Sequence, residues 1–79
     1  MNLLVHLNPD DWDAWKDRFD GDYEDRMSAG LTTLQIWRGV DGGGVTVLLD
    51  CNDRARAEAW LDRERATGHA MDARFLVVA

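Results

Sequence analysis

The sequence predicts an α+β fold with the element order β-α-β-β-α-β. Four short segments carry the apolar pattern of strands, two longer segments repeat apolar residues every three or four positions, and a glycine triplet separates the second and third strands. A chain of 79 residues is long enough for two packed layers and too short for a second core. We therefore expect residues 1–79 to form a single domain.

The first strand is predicted from the segment NLLVHLN. Side chains alternate between the two faces of a strand, so Leu3, Val5 and Leu7 should share one face. Leu4 and His6 should share the other. We expect the first set to face the core, which leaves a leucine and a histidine together on the opposite side of the sheet.

The segment that begins NPDDW predicts the first helix. Asn8 is a good N-cap, Pro9 suits the first helical position, and the two aspartates that follow favour the positive end of the helix dipole. Gly21 weakens the helix locally, and Gly30 provides its end. Apolar side chains recur at steps of three or four, at Trp12, Trp15, Phe19, Tyr23 and Met27. We expect this stripe to pack in the core rather than to form an aromatic ligand site.

The next two apolar segments predict a hairpin. LTTLQIWRGV forms one strand, VTVLLD forms its partner, and the glycines of DGGG supply the backbone freedom for the turn. In the first of these strands, Leu34 and Ile36 are expected on one face, and the other face carries Thr33, Gln35 and Trp37. Phosphate binding by the glycines would need a helix directly behind them, and a β-branched strand follows instead.

The last third of the chain predicts a helix and a strand. Asn52 or Asp53 should cap the helix, and Gly68 should end it. Its inward side chains are predicted to be Ala57, Trp60 and Leu61. The segment HAMD then connects to a last strand, ARFLVVA, that runs to the C-terminus.

Together these elements predict the split βαβ or ferredoxin-like arrangement, an antiparallel four-stranded sheet with two helices on one face. The other face should be unusually apolar, since Leu4, Trp37 and one alternate set from each of VTVLLD and RFLVVA would lie on it. Soluble monomers rarely expose so much apolar surface. We therefore expect two copies to pair sheet to sheet as a homodimer, with His6 in a chamber between the sheets near Gln35 and Trp37. Thr46 or Asp50 would lie beside it.

The composition excludes several partners. Nine basic and fifteen acidic residues give a net charge of −6, and the bases are interleaved with the acids. Because such a surface repels phosphate backbones and anionic membranes, we expect no nucleic-acid partner. No apolar run approaches the roughly 18 residues of a membrane helix, so we expect a cytoplasmic protein without a membrane partner. Cys51 is the sole cysteine, which excludes an internal disulfide, and it should pack at a strand end.

Three stretches carry a resemblance to a known family: VHLNPDDWDAWKDRFD, AGLTTLQIWRGVDGGGVTVLLDCNDRARAEAWL and ARFLVV. They resemble the small dimeric α/β-barrel proteins related to antibiotic-biosynthesis monooxygenases, especially the compact cyclase-like members. The resemblance covers nearly the whole chain and implies a homodimer with a ligand-sized chamber in each half. Members of the wider family use that chamber for cofactor-free oxidation of polyketide phenols, for ring closure or for haem breakdown.

The haem-degrading relatives place an asparagine on strand one, a tryptophan at the end of strand three and a histidine at the end of helix two. Here only His69 fits, since strand one offers His6 and strand three ends in Leu49, Asp50 and Cys51. The resemblance therefore disfavours haem breakdown. Two histidines without the spacing of a metal motif also predict no metal site. We expect no cofactor.

His6 is the best candidate for chemistry. An imidazole in a partly dry chamber can take a proton from a phenol or an enolisable carbonyl near neutral pH, as cofactor-free oxygenation or cyclisation of an aromatic or polyketide-like molecule requires. Gln35 would hold a substrate oxygen and Trp37 would supply a stacking wall. Arg38 and Asp50 would orient the histidine or pair with one another.

Two other roles for His6 remain open: a buried residue that bonds across the dimer, and a ligand contact without catalysis. The sequence accordingly allows three classes of function. They are an enzyme, a ligand-binding protein without chemistry, and a structural pairing domain whose chamber is filled by its own side chains.

Overall fold

The computed structural model describes residues 1–68 and 70–79, and within them the chain forms four strands and three helices. Their bounds are β1 (Asn2–Leu7), α1 (Trp12–Gly21), α2 (Tyr23–Ser28), β2 (Leu31–Arg38), β3 (Val45–Cys51), α3 (Arg54–Ala66) and β4 (Met71–Leu76). The strands form one antiparallel sheet in the order β2-β3-β1-β4. This order is compatible with the predicted ferredoxin-like arrangement, and the α+β class is confirmed.

The core lies between one face of the sheet and the helices. Leu3, Val5 and Leu7 are buried there, as their alternation predicts. The strand β3 buries Val45, Val47, Leu49 and Cys51, and α3 buries Ala57, Trp60 and Leu61. Trp12, Trp15 and Phe19 of α1 pack against the same cluster. Both helical regions therefore cover one face of the sheet, and Cys51 is a buried free thiol at a strand end.

The segment predicted as one helix forms two helices, α1 and α2, and the prediction of Asn8 as the N-cap is wrong. Asp11 caps α1 through its side chain, whose Oδ1 accepts from the Ala14 amide at 3.2 Å. The Asn8 side chain instead lies against Gly44. A turn at Asp22, directly after Gly21, separates α1 from α2, at the point where glycine weakens the helix.

This break changes which side chains of the second helix face inward. Tyr23 and Met27, predicted to continue the apolar stripe, are exposed, whereas Arg26 and Ala29 are buried. The stripe is therefore confirmed as core packing only as far as Phe19. The end at Gly30 is confirmed by a φ of 74°, a conformation that glycine adopts readily.

A β-bulge in β2 changes the predicted assignment of faces. The register shifts between Thr33, which pairs with Leu49, and Gln35, which pairs with Leu48. The extra residue, Leu34, is exposed and Thr33 joins the core side, because one inserted residue reverses the alternation beyond it. Gln35 keeps its predicted face.

The remaining elements differ from their predictions in detail. Asp53 is the N-cap of α3 and accepts from the Arg56 amide. The strand β4 begins at Met71, inside the predicted connector, and ends at Leu76, so the chain leaves the sheet before its C-terminus. Within the described residues, none of the helices combines the length and the apolar character that crossing a bilayer requires.

Candidate functional site

The face of the sheet turned away from the helices, here called the outer face, brings together residues from all four strands. Strand register places one row across it in the order Trp37, Thr46, His6 and Asp72. The adjacent row runs Gln35, Leu48, Leu4 and Arg74, and a third row runs Thr32, Asp50, Asn2 and Leu76. The outer set of β3 is therefore Thr46, Leu48 and Asp50, a choice that the sequence left open.

His6 lies in the middle of the first row and is half-buried. Its Nδ1 is hydrogen-bonded to the Thr46 hydroxyl, with 3.0 Å between Nδ1 and Oγ1. The hydroxyl can donate or accept, so the bond suits either neutral tautomer of the ring. Asp72 pairs with His6 on the other side, across β1 and β4. The arrangement engages one ring nitrogen and leaves Nε2 for another partner.

An open depression lies over this part of the outer face. It is lined by Leu4, His6, Thr46, Asp72 and Arg74 and has a volume of about 400 Å³. Small-molecule sites bury about 70–90% of the ligand surface, so this open depression would need a cover to enclose a ligand. The depression combines an apolar leucine with an imidazole, a hydroxyl, a carboxylate and a guanidinium.

Three of the predicted ligand residues lie on the outer face with His6, at different distances from it. Trp37 stands in the same row but two strands away, so about 10 Å separates their backbones. Gln35 lies in the next row, and its side-chain amide donates to the Ile36 carbonyl at 3.4 Å. Asp50 pairs with Asn2, four residues along β1 from His6, so about 14 Å separates the backbones of Asp50 and His6. It is too distant to orient the imidazole.

The predicted place of Arg38 in the chamber is wrong. Arg38 pairs with the core-facing Val45, and its guanidinium carbon lies 4.2 Å from the ring centroid of Trp12 in α1. The sheet therefore separates Arg38 from His6 and from Asp50. Arg38 follows the outer-face residue Trp37, so regular alternation places it on the core side. Stacking on Trp12 stabilises it there, because a guanidinium binds favourably over an indole face.

The sequence pattern does not single out two residues of the depression, Asp72 and Arg74. The segment HAMD, residues 69–72, is predicted as a connector, and the strand ARFLVVA is apolar at nearly every position. The alternation of Asp72, Arg74 and Leu76 was the available signal, since all three share one face of β4.

The outer face is more polar than predicted. The wholly apolar alternate set of β3 faces the core, and β4 contributes Asp72 and Arg74 to the outer face. Apolar side chains are still well exposed there, with Trp37 at 48% and Leu76 at 40%, and the unpaired bulge residue Leu34 in β2 is exposed at 52%. The surface thus has an apolar periphery around a polar centre at His6.

Another depression and an interior crevice are weaker candidates. A depression of about 530 Å³ beside the start of α1 is lined in part by Asp11 and Arg18, but Asp11 caps the helix and Arg18 pairs with Glu64 at 2.8 Å. A crevice between the sheet and the helices has a volume of about 30 Å³, which suffices for one or two water molecules but not for a ring.

That crevice is lined by Arg26, an arginine whose pKa is shifted by burial. Arg26 is buried, stacks on the Phe19 ring at 3.6 Å from its centroid and donates to the Phe19 carbonyl. Burial lowers the pKa of Arg26, and the nearby carboxylates, Asp22 foremost, oppose that effect. Beside it, the buried Nε1 of Trp60 has no hydrogen-bond partner within the described residues.

Metal ligation has no support in the part of the chain that the structure describes, where no three His, Cys, Asp or Glu side chains converge. The prediction that His69 occupies the position of a haem-family histidine falls outside the described residues.

Comparison with known proteins supplies a family but no activity. A family model described as a domain of unknown function (DUF3303) matches residues 2–63, from β1 into α3. No curated protein and no solved structure matches the chain. Because the match spans most of the 79 residues, the chain belongs to the DUF3303 family, a family of unknown function.

Proposed function

We propose that the protein is a homodimer that encloses a small aromatic molecule between two sheets, with His6 as the polar contact. The observation on which this rests is the depression of about 400 Å³ in which the half-buried Leu4 lies beside the hydrogen-bonded pair of His6 and Thr46. An apolar contact surface with a few oriented polar groups is the usual composition of a small-molecule site.

Pairing through the outer face is supported by what surrounds the depression. The strands β2 and β4 are the two edges of the sheet. The exposed side chains of Leu34 and Trp37 belong to β2, and that of Leu76 belongs to β4. A second sheet placed over them would bury apolar surface and give the open depression a roof. The resemblance to the dimeric α/β-barrel proteins supports the same arrangement.

The chemistry that best suits this site is proton abstraction by His6. With Nδ1 held by Thr46, Nε2 is the nitrogen that would take a proton from a phenol or an enolisable carbonyl. Such a step begins the cofactor-free oxygenation or cyclisation that the resemblance implies. Binding without chemistry is the alternative, and an activity assay on the dimer separates the two.

Sedimentation at micromolar concentration tests the pairing. The wild type should sediment as a dimer, Trp37→Glu should sediment as a monomer because it places a charge in the apolar contact, and Tyr23→Glu should remain a dimer. Tyr23 is a matched control, since it is an exposed aromatic residue of the helical layer. A monomeric wild type contradicts the proposed pairing.

The ligand and the chemistry are tested on the same preparations. Native mass spectrometry of the purified protein should detect a bound small aromatic molecule. An anthrone-like test substrate should be turned over by the wild type and not by His6→Ala, with the dimer intact. Turnover that survives His6→Ala excludes His6 as the base, whereas binding without turnover assigns the protein to the non-catalytic class.

A further inference from the structure

Arg74 lines the depression and has no ion pair, hydrogen bond or ring contact among the described residues, and we infer that the ligand carries a carboxylate which this guanidinium binds. The inference rests on the proposed function, because it concerns the same depression. It adds the chemical class of the ligand: an aromatic acid with a hydroxyl or carbonyl group at its other end.

Arg74 differs from the other basic residues in its lack of contacts. Ion pairs engage Lys16, Arg18, Arg54, Arg56 and Arg63; Arg26 and Arg38 stack on aromatic rings; and Arg65 donates to the Met71 carbonyl. Within residues 1–68 and 70–79, Arg74 alone among the lysines and arginines has no ion pair, hydrogen bond or ring contact. Within one subunit of net charge −6, Arg74 thus keeps its donors for an anion in the depression.

The position of Arg74 fits an anionic group at one end of a ring. Arg74 pairs directly with Leu4, and His6 lies two residues further along β1 on the same face. Diagonal neighbours of this kind on an antiparallel sheet are separated by about 7–8 Å. A single aromatic ring lying over Leu4 would therefore present a carboxylate to Arg74 and a hydroxyl to His6.

Guanidinium geometry makes this end of the site selective. Its fork of N–H donors matches the two oxygens of a carboxylate, which a neutral amide reproduces only in part. Asp72, the same-face neighbour of Arg74 on β4, forms no ion pair with it, so the donors remain available. The negative charge of Asp72 also disfavours a carboxylate at the His6 end, which sets the orientation of the ligand.

Two probes of nearly equal shape, 4-hydroxybenzoate and 4-hydroxybenzamide, test the inference on the intact 15N-labelled chain. The acid should shift the amide resonances of Leu4, Thr46 and Arg74 and bind about ten-fold more tightly than the amide, the ratio expected for one charge-assisted contact. Arg74→Gln should abolish this preference. Arg74→Lys should retain part of the preference, because it keeps the positive charge. The comparison of the two variants shows whether Arg74→Gln acts through its lost charge or through a disturbed fold.

Arg56→Gln is the matched control, because it removes the same charge from an exposed position on α3, in the helical layer. It should keep the preference for the acid. Equal binding of acid and amide to the outer face, or a preference that persists in Arg74→Gln, overturns the carboxylate inference and leaves the depression as the ligand site. If neither probe shifts any outer-face resonance, the inference and the proposed site both fail.

Discussion

The imidazole of His6 and the hydroxyl of Thr46 are joined across β1 and β3 by a hydrogen bond of 3.0 Å between Nδ1 and Oγ1. The two residues are direct partners in the antiparallel register. The orientation of the ring therefore depends on the sheet itself and not on a loop.

Replacing Thr46 by valine keeps the shape of the side chain and removes the hydroxyl. We expect the free energy of unfolding to fall by about 0.5–1.5 kcal/mol, the usual net value of one hydrogen bond. The 15N chemical shifts of the His6 ring should also move, since Nδ1 loses its partner. Thr32→Val, on the same face but opposite Asp50, is the control and should leave those shifts unchanged. Ring shifts that are the same in Thr46→Val and the wild type contradict the role given to the hydroxyl.

The corrected N-cap of α1 gives a second prediction. Asp11→Ala removes the side chain that accepts from the Ala14 amide, and it should lower the free energy of unfolding by about 1 kcal/mol. Asn8→Ala should cost less, because Asn8 does not cap the helix. Urea denaturation of both variants measures the difference. A larger loss in Asn8→Ala would restore the cap that the sequence predicted.

Arg26 should matter for stability even though it lies outside the candidate site. Arg26→Ala loses the stacking on Phe19 and the bond to its carbonyl, so we expect a loss of about 2 kcal/mol. Arg56→Ala, at an exposed position, should cost less than about 0.5 kcal/mol. Equal losses in urea denaturation would contradict the structural role of the buried arginine.

The stability lost in Arg26→Ala should not depend on pH near neutrality. Because burial lowers the pKa of Arg26 in the folded state, its charge costs folding free energy at every pH below that pKa, and the cost is relieved only as the pH rises through it. Between about pH 6 and 9 a guanidinium stays charged in both states. The difference in stability between wild type and Arg26→Ala should therefore be constant over this range. A stability difference that changes with pH in this range would show that another titrating group contributes to it.

Alanine substitutions at two glycines of the hairpin turn distinguish the effect of backbone strain from that of steric crowding. Gly43 and Gly44 have φ values of 90° and 87°, so alanine is strained at either position by about 1–2 kcal/mol. A Cβ at Gly44 would also clash with the Leu7 carbonyl oxygen and with Asn8 Oδ1, whereas Gly43 has open space around it. Gly44→Ala should therefore melt at a lower temperature than Gly43→Ala. Equal melting temperatures would exclude the close approach to Leu7.

Much of the fold was predictable because its causes are local. Apolar alternation in β1 predicts the inward face of Leu3, Val5 and Leu7, and helical spacing predicts the inward side chains of α3. The glycines predict the hairpin, since no other residue adopts the required backbone conformation as readily. Element order then follows from these segments taken in sequence.

Details of the site were less predictable because they depend on strand register. The segment ARFLVVA is apolar at nearly every position, so alternation alone indicates little about which of its sets faces the core. In VTVLLD the polar residues Thr46 and Asp50 share one set, and the wholly apolar set faces the core. The bulge at Leu34 reversed one assignment in β2, and Arg38 moved to the helical side, where Trp12 provides a stacking surface.

The amino-acid pattern alone thus establishes an α+β domain with His6 on the face opposite the core. Only the packed sheet decides that Thr46, Asp72 and Arg74 surround it, because residues about 40 and 70 positions apart meet through backbone hydrogen bonds between strands. The backbone hydrogen bonds of all four strands fix this register together. No short segment of the sequence therefore indicates which residues become neighbours of His6.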